Sequence, residues 1–162
     1  TTHRRIGQGV MVVVGAGLAA WFGIGALAAP VATAIPAPSL DPELVRRFDA
    51  AARAAAEDGV TLEIVSGLRT PSEQQALVDR AVAQYGDLQE ARRWVAPAEA
   101  SAHVAGRALD VGPAEGVAWL ALHGAEYGLW KVFDNEPWHV EARVEPGGVC
   151  PPTVPDASSL WP

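Results

Sequence analysis

The chain has 162 residues, 49% of them hydrophobic and 19% charged, which is the make-up of one globular domain and excludes both a disordered chain and a large multidomain machine. Its formal charge is −7, and all 19 acidic residues follow Leu40. A surface that acidic is repelled by phosphate backbones, and no stretch interleaves Lys or Arg with aromatics, so the composition argues against a nucleic-acid partner. The one cysteine, Cys150, forbids an internal disulfide and any Cys-rich zinc module, so a metal would have to be held by His and carboxylates.

In chain order, the first feature is an uncharged run from Ile6 to Leu40 whose apolar core, Gly9 to Ala28, follows directly on His3, Arg4 and Arg5. A positive flank before an apolar run is the layout of an export signal, and Ala32-Thr33-Ala34 offers the small-x-small pattern that a signal peptidase accepts. Signal cores run about 7–15 residues and about 20 suffice to span a bilayer, so an uncleaved anchor is the alternative. Residues 1–34 are therefore read as a signal peptide or membrane anchor and 35–40 as a Pro-rich linker. The remainder is expected outside the cytoplasm, secreted or tethered, with membrane contact only through this segment and with a monomer as the expected state.

Residues 41–145 read as one domain. Asp41, Pro42 and Glu43 are an N-cap, a first-turn proline and a first-turn acid, and Gly59 closes the segment, which predicts a helix over 41–58 with Leu44, Val45, Phe48, Ala52 and Ala55 on its buried face. The β-rich run at 61–65 reads as a strand. Thr70, Pro71 and Glu73 form a capping box that starts a helix running to about Tyr85, before Gly86, and Asp87 with Glu90 opens a shorter one toward Trp94. A loop leads to a strand at 108–111, a helix at 114–127 ending at Gly128, and a last strand over 137–144. After Glu145, five prolines and two glycines read as an extended or disordered tail, 146–162, on which Leu160 and Trp161 could still dock. Separate helices and short strands imply an α+β domain in which helices pack on a small, mainly antiparallel sheet.

Two of the four histidines, His103 and His139, lie in polar segments marked by Gly or Pro and close to carboxylates. A catalytic zinc site wants three N or O ligands and an open fourth position, and His103, Asp110 and His139 supply that set, leaving Glu136 as a base beside it. Spacing alone leaves the alternative of hydrogen-bonded structural histidines and a capping aspartate open. Glu141 competes with Glu136 for the role of base, because on a strand it shares a face with His139, two residues away.

The segments SGLRTPSEQQ at 66–75, SAHVAGRALDVG at 101–112 and NEPWHVE at 135–141 together resemble the three signature blocks of the zinc D-alanyl-D-alanine carboxypeptidase family, its VanY-like branch. The resemblance covers about Leu62 to Glu141 in the family's order. It implies a DD-peptidase-like fold with Zn²⁺ in a surface cleft, His103, Asp110 and His139 as ligands, and Glu136 as the catalytic base. It further implies that Arg69 and Ser101 bind the substrate carboxylate or developing oxyanion, that Gln74 supports them, and that Trp138 walls the pocket. The expected substrate is a peptidoglycan stem peptide ending in D-Ala-D-Ala. The chain departs from the family at Leu68, where an aromatic is common, at Glu141 and Arg143, and in a short stretch between Asp110 and Glu136 with little room for a lid, so the same site could serve an L,D-carboxypeptidase or an endopeptidase. A non-catalytic wall-binding module is the further alternative, against which the joint presence of Glu136, Arg69 and Ser101 argues.

The remaining marked residues carry plainer expectations. Trp94, Trp119 and Trp130 are expected in the core and His123 on a helix surface or in helix packing. Lys131 and Asp134 are expected in a solvated loop, and Cys150 as an incidental thiol with no base nearby.

Overall fold

The computed structural model describes residues 38–162; the expected signal or anchor segment lies outside them. Helix α1 (Pro42–Glu57) starts where Asp41 accepts a hydrogen bond from the Glu43 amide at 2.8 Å, with Pro42 in the first turn. Leu44, Phe48, Ala51 and Ala55 form its buried stripe, so Val45 and Ala52, expected within it, flank it instead. Strand β1 (Glu63–Ser66) follows, then α2 (Pro71–Tyr85), whose capping box at Thr70 and Glu73 is fully formed and whose end is Gly86 in the left-handed region.

The helix expected from Asp87 is a single turn, α3 (Leu88–Ala91), continued to Trp94 by hydrogen-bonded turns. Strand β2 spans Ala108–Gly112, and the helix expected over 114–127 is α4 (Ala114–His123) followed by a 3₁₀ turn, Gly124–Tyr127, that tightens into Gly128. Strand β3 (Leu129–Lys131) was not expected, because three residues are too few to show an alternation; β4 is His139–Ala142, shorter at both ends than predicted. Among the described residues no helix is long and apolar enough to cross a membrane.

The four strands form one antiparallel sheet in the order β1-β2-β4-β3, so the α+β architecture stands. The register pairs Leu109 with Val140 and Asp110 with His139 across β2 and β4. Alternation then sends Leu109, Val111, Val140 and Leu129 to one face, where they pack with Leu44, Phe48, Ala51 and Ala55 of α1 and Trp119 and Leu120 of α4 in the main core. Each such aliphatic or aromatic side chain contributes about 1.5–3 kcal/mol on burial, and the covered face fixes β2 and β4 rigidly. The opposite face carries Asp110, His139, Glu141 and Trp130.

A smaller cluster of Val132, Phe133 and Ala157, flanked by Val154 and Leu160, is built by the C-terminal segment. There Val154 pairs in parallel with Phe133, its amide donates to Val132 O at 2.9 Å, its carbonyl accepts from the Asp134 amide at 2.9 Å, and a 3₁₀ turn, Ala157–Leu160, follows. Arg93 pairs with Asp156 at 2.9 Å, the Trp161 indole donates to Val95 O at 3.0 Å, and Arg92 lies over the Trp161 ring. Docking of Leu160 and Trp161, left open by the sequence, is therefore how this segment sits.

Candidate metal centre

The site is built from β2, β4 and the loop before β2. In that loop Gly106 adopts φ of +70°, and a Cβ there would stand 2.2 Å from the carbonyl oxygen of Ser39; only glycine lets the loop turn under the chain entering α1, so the motif glycine places His103. The sheet register sets Asp110 directly opposite His139.

His103 Nε2 lies 3.2 Å from Asp110 Oδ1 and 3.2 Å from His139 Nδ1, and His139 Nδ1 lies 3.4 Å from Asp110 Oδ1. Zinc bonds of about 2.0–2.2 Å in a tetrahedral arrangement need donors about 3.3–3.6 Å apart, so the triangle has the size that a shared ion demands. It is also the group of His, Cys, Asp and Glu residues among those described whose ligand atoms converge as a metal site requires. Both imidazoles are held from behind. His103 Nδ1 donates to Gly67 O at 2.7 Å, which leaves the Nε2 lone pair facing inward, and His139 Nε2 lies 3.3 Å from Glu141 Oε1. Outer partners of this kind fix the tautomer and ring orientation of metal-binding histidines. The donor set fits a zinc ion.

The electrostatics agree. Burial would raise the Asp110 pKa, but hydrogen bonds from His103 and His139 and the charges of His103 and Arg69 outweigh it and hold the carboxyl well below the usual range. Burial would lower the His139 pKa, but the carboxylates of Asp110 and Glu141 outweigh it and raise it to about 9. Glu141, whose burial alone would raise it, is lowered by His139 and Arg143. Glu136 behaves differently: burial pushes its carboxyl up to about 7, beyond what the opposing charge of His139 recovers. Both carboxylates line the cleft with the three candidate ligands, but Glu141 is committed to the outer nitrogen of His139 and to Arg143 at 3.2 Å.

The other expected site residues line the same cleft of about 380 Å³. The Arg69 guanidinium pairs with the outer oxygen of Asp110 and donates to Ser66 Oγ at 2.9 Å and to Gln74 Oε1 at 3.4 Å. Gln74, 2% exposed, sends its amide nitrogen to Ala96 O at 2.8 Å, so it holds Arg69 and has no free polar end. Ser101 is buried and Trp138 stands 40% exposed at the rim. Trp119 is in the core, donating to Asp58 at 2.8 Å, but Trp94 and Trp130 are only half-buried and line the cleft, which corrects the expectation of a core role for these two. His123 stacks on Trp119 and meets Glu126 at 3.0 Å, and Lys131 pairs with Asp134 away from the cleft lining. Cys150 is free, and burial pushes its thiol up, away from reactivity. Two contributions went unseen in the sequence: Ser66, which sits opposite Asp110 in the register and holds Arg69, and the C-terminal segment, of which Pro151, Val154 and Leu160 line the cleft.

Residues 37–143 match the family model for VanY, D-alanyl-D-alanine carboxypeptidase. The chain belongs to this family. It is similar to a D-alanyl-D-alanine carboxypeptidase of Enterococcus faecalis, 32% identical over an alignment 126 positions long that covers 62% of this chain and 45% of the relative, so it spans less than half the length of that protein. Two solved VanY structures align at a TM-score of 0.60 and 27% identity over 63% of this chain, covering 71% and 70% of theirs; one is a vancomycin-resistance D,D-pentapeptidase mutant in complex with Zn(II), the other VanYB in complex with D-alanine-D-alanine. The LD-carboxypeptidase LdcB aligns at 0.56 and 26% identity over 64% of this chain and 65% of that one. The family's sheet and helices agree with the fold described above, and the match ends at Arg143, before the C-terminal segment.

Proposed function

We propose that this chain is a zinc-dependent D-alanyl-D-alanine carboxypeptidase that removes the terminal D-Ala of peptidoglycan stem peptides, outside the cytoplasm. The observation that carries the reading is the triangle of His103, Asp110 and His139 donors, 3.2–3.4 Å on each side and braced from behind by Gly67 and Glu141. A family structure solved with Zn(II) and one holding D-alanine-D-alanine support the cofactor and the substrate class.

Zinc, when bound by these three side chains, supplies Lewis-acid charge next to the scissile carbonyl. Glu136 takes the proton of the attacking water and later delivers it to the leaving amine, a task for which a carboxyl poised near neutrality is suited. Arg69 places positive charge beside the reacting centre while bracing Asp110, and its remaining donor capacity, with Ser101, is available to the substrate carboxylate. Trp138 forms the rim over the substrate. The structural likeness to LdcB favours a second reading, an L,D-carboxypeptidase acting on the same metal site.

Incubating the chain with a stem pentapeptide ending in D-Ala-D-Ala and with a tetrapeptide, each with and without a chelator, separates the two by product mass. Chelator-sensitive loss of one alanine from the pentapeptide is the expected result. Attack on the tetrapeptide alone would transfer the assignment to the L,D class, and inertness toward both with zinc bound would remove the carboxypeptidase reading.

A further inference from the structure

The candidate base is placed by its backbone alone. Glu136 lies in the connection between β3, which ends at Lys131, and β4, which begins at His139, and belongs to neither strand. Its carbonyl accepts from the His139 amide at 3.1 Å, but among the described residues no hydrogen bond reaches its carboxylate. A carboxylate held this way is only as well aimed as the chain that carries it, and a shift of about 1 Å in a reacting group can cost about 10²-fold in rate.

That chain is fixed from outside. The Val154 amide donates to Val132 O and the Asp134 amide to Val154 O, both at 2.9 Å, and Phe133 packs with Ala157 in the smaller core cluster. Directly before the base, the Asn135 side-chain amide donates to Arg93 O at 2.9 Å, and the same carbonyl accepts from the Ala157 amide at 3.3 Å. Arg93 is held in turn by Asp156: one carboxylate oxygen accepts from Arg93 Nε at 2.9 Å while the other accepts from the Ser158 amide at 2.9 Å. Three stretches of chain, 93–95, 132–135 and 154–161, therefore close on one another, with the Trp161 indole on Val95 O at 3.0 Å as the last link. The third stretch lies wholly beyond the matched residues 37–143.

We propose that Asp156 and the segment around it form a clasp that positions Glu136, so that the catalytic site of this enzyme is completed by residues outside the family match. The proposal rests on the carboxypeptidase reading above. Asp156 does not line the cleft; it acts through Arg93 and Asn135 and is a positioning residue. The three candidate ligands are held by other means, the sheet register, Gly67 and Glu141, so loosening the clasp leaves the metal in place while the base loses its aim. Proton transfer, which needs the base within about 2.6–3.2 Å of the atom it serves, suffers from such a shift, whereas substrate binding at Arg69 and Ser101 does not depend on it.

The test compares the full zinc-loaded chain with Asp156→Asn, Asn135→Ala and the double variant. Asp156→Asn keeps an oxygen for the Ser158 amide and removes the acceptor of Arg93 Nε, while Asn135→Ala removes the bond to Arg93 O. Each should lower kcat on a stem pentapeptide ending in D-Ala-D-Ala by about tenfold, with KM and the zinc affinity measured against a chromophoric chelator within about twofold of the parent. Because both act on Arg93, the double variant should fall well short of the about hundredfold loss that independent sites would give. Amide hydrogen exchange in the metal-free chain gives a reading separate from turnover: the Asp134 amide, bonded to Val154 O, should exchange about tenfold faster in Asp156→Asn. The shift of melting temperature on adding zinc reports that each variant is folded; Arg93→Gln, which breaks the same pair from its half-exposed end, takes the place of Asp156→Asn if that variant does not fold. An unchanged kcat in a folded, zinc-binding variant, or a fall in kcat matched by an equal loss of zinc affinity, overturns the clasp and leaves the carboxypeptidase reading standing. A parent chain that holds zinc and cleaves neither pentapeptide nor tetrapeptide overturns both.

Discussion

The two faces of the sheet do opposite work with alternate residues of the same strands. On β2 and β4, Leu109 and Val140 point into the core under α1 and α4, while their neighbours Asp110 and His139 point into the cleft as candidate metal ligands. One face is stable because it is apolar and covered. The other gathers two imidazoles and a carboxylate that would cost several kcal/mol to bury without partners, and it tolerates them because Gly67, Glu141 and Arg69 satisfy their outer atoms. Placement of the candidate ligands is supplied by the apolar face, one residue away, and their chemistry by the polar one, so substitutions on the two faces should separate stability from catalysis.

The largest effect is expected from Glu136→Gln, which touches the polar side alone. Loss of the base should lower kcat by about 10²–10⁴-fold while zinc content and melting temperature stay at their starting values. Activity within threefold of the parent would mean that another group moves the proton, and Glu141 would then regain the role that its hydrogen bond to His139 now argues against.

Leu109→Ala is the complementary break. Leu109 is fully buried between α1 and the sheet, and its truncation should cost about 2–5 kcal/mol of stability, read by denaturant titration of the zinc-loaded chain. At temperatures where the variant remains folded, the metal stoichiometry should be unchanged, since every ligand and outer partner is still present. Equal loss of zinc and of stability would show that the two faces are not separable.

A finer division lies within the polar face, between the ligands and what stands behind them. Glu141→Gln keeps the shape and an acceptor oxygen for His139 but removes the charge that braces the imidazole, and should weaken zinc binding by about 10–100-fold in competition with a chromophoric chelator. Arg143→Ala, which removes only an exposed partner of Glu141, should do less. An identical zinc affinity for Glu141→Gln would reduce Glu141 to a packing group.

How much of this was legible in the sequence follows from the range over which each feature is determined. The helix starts at Asp41 and Thr70 were readable because a cap and its partner lie within three residues, and the candidate ligands were marked by the wording of ordered motif blocks, where spacing alone left them open. The face of α1 was legible only to within about one residue, as Ala51 took the place given to Ala52. Strand β3 was not legible: Leu129 to Lys131 becomes a strand only through pairing with β4, a contact that no local pattern announces. Trp94 stacks on Tyr85 at the end of α2 and not in the main core, and a Pro-rich stretch that looks extended was ordered by distant partners, Phe133, Arg93 and Val95. Arg69 shows the same limit inside the site. Its motif marked it for the substrate, but that Ser66, Gln74 and Asp110 also hold it depends on the bulged register between β1 and β2.

The last effect is a dependence on pH that the metal offsets. Without zinc, Asp110 and Glu141 raise His139 to about 9 from an ordinary 6.5, and burial raises Glu136 to about 7 from 4.5. A group that binds its proton more tightly in the folded than in the unfolded chain contributes stability that is complete below its unfolded pKa and lost as pH rises through its folded value. The metal-free chain should therefore lose stability in two stages, through about 7 and again through about 9. Zinc must displace the His139 proton, so its affinity should rise about tenfold per pH unit and level off above about pH 9, and the zinc-loaded chain should gain over the metal-free one across the same range. Melting curves from pH 6 to 9.5 with chelator and with excess zinc read both trends. Parallel curves would mean that the proton on His139 and the metal do not compete, and that the inward nitrogen of His139 is not a ligand.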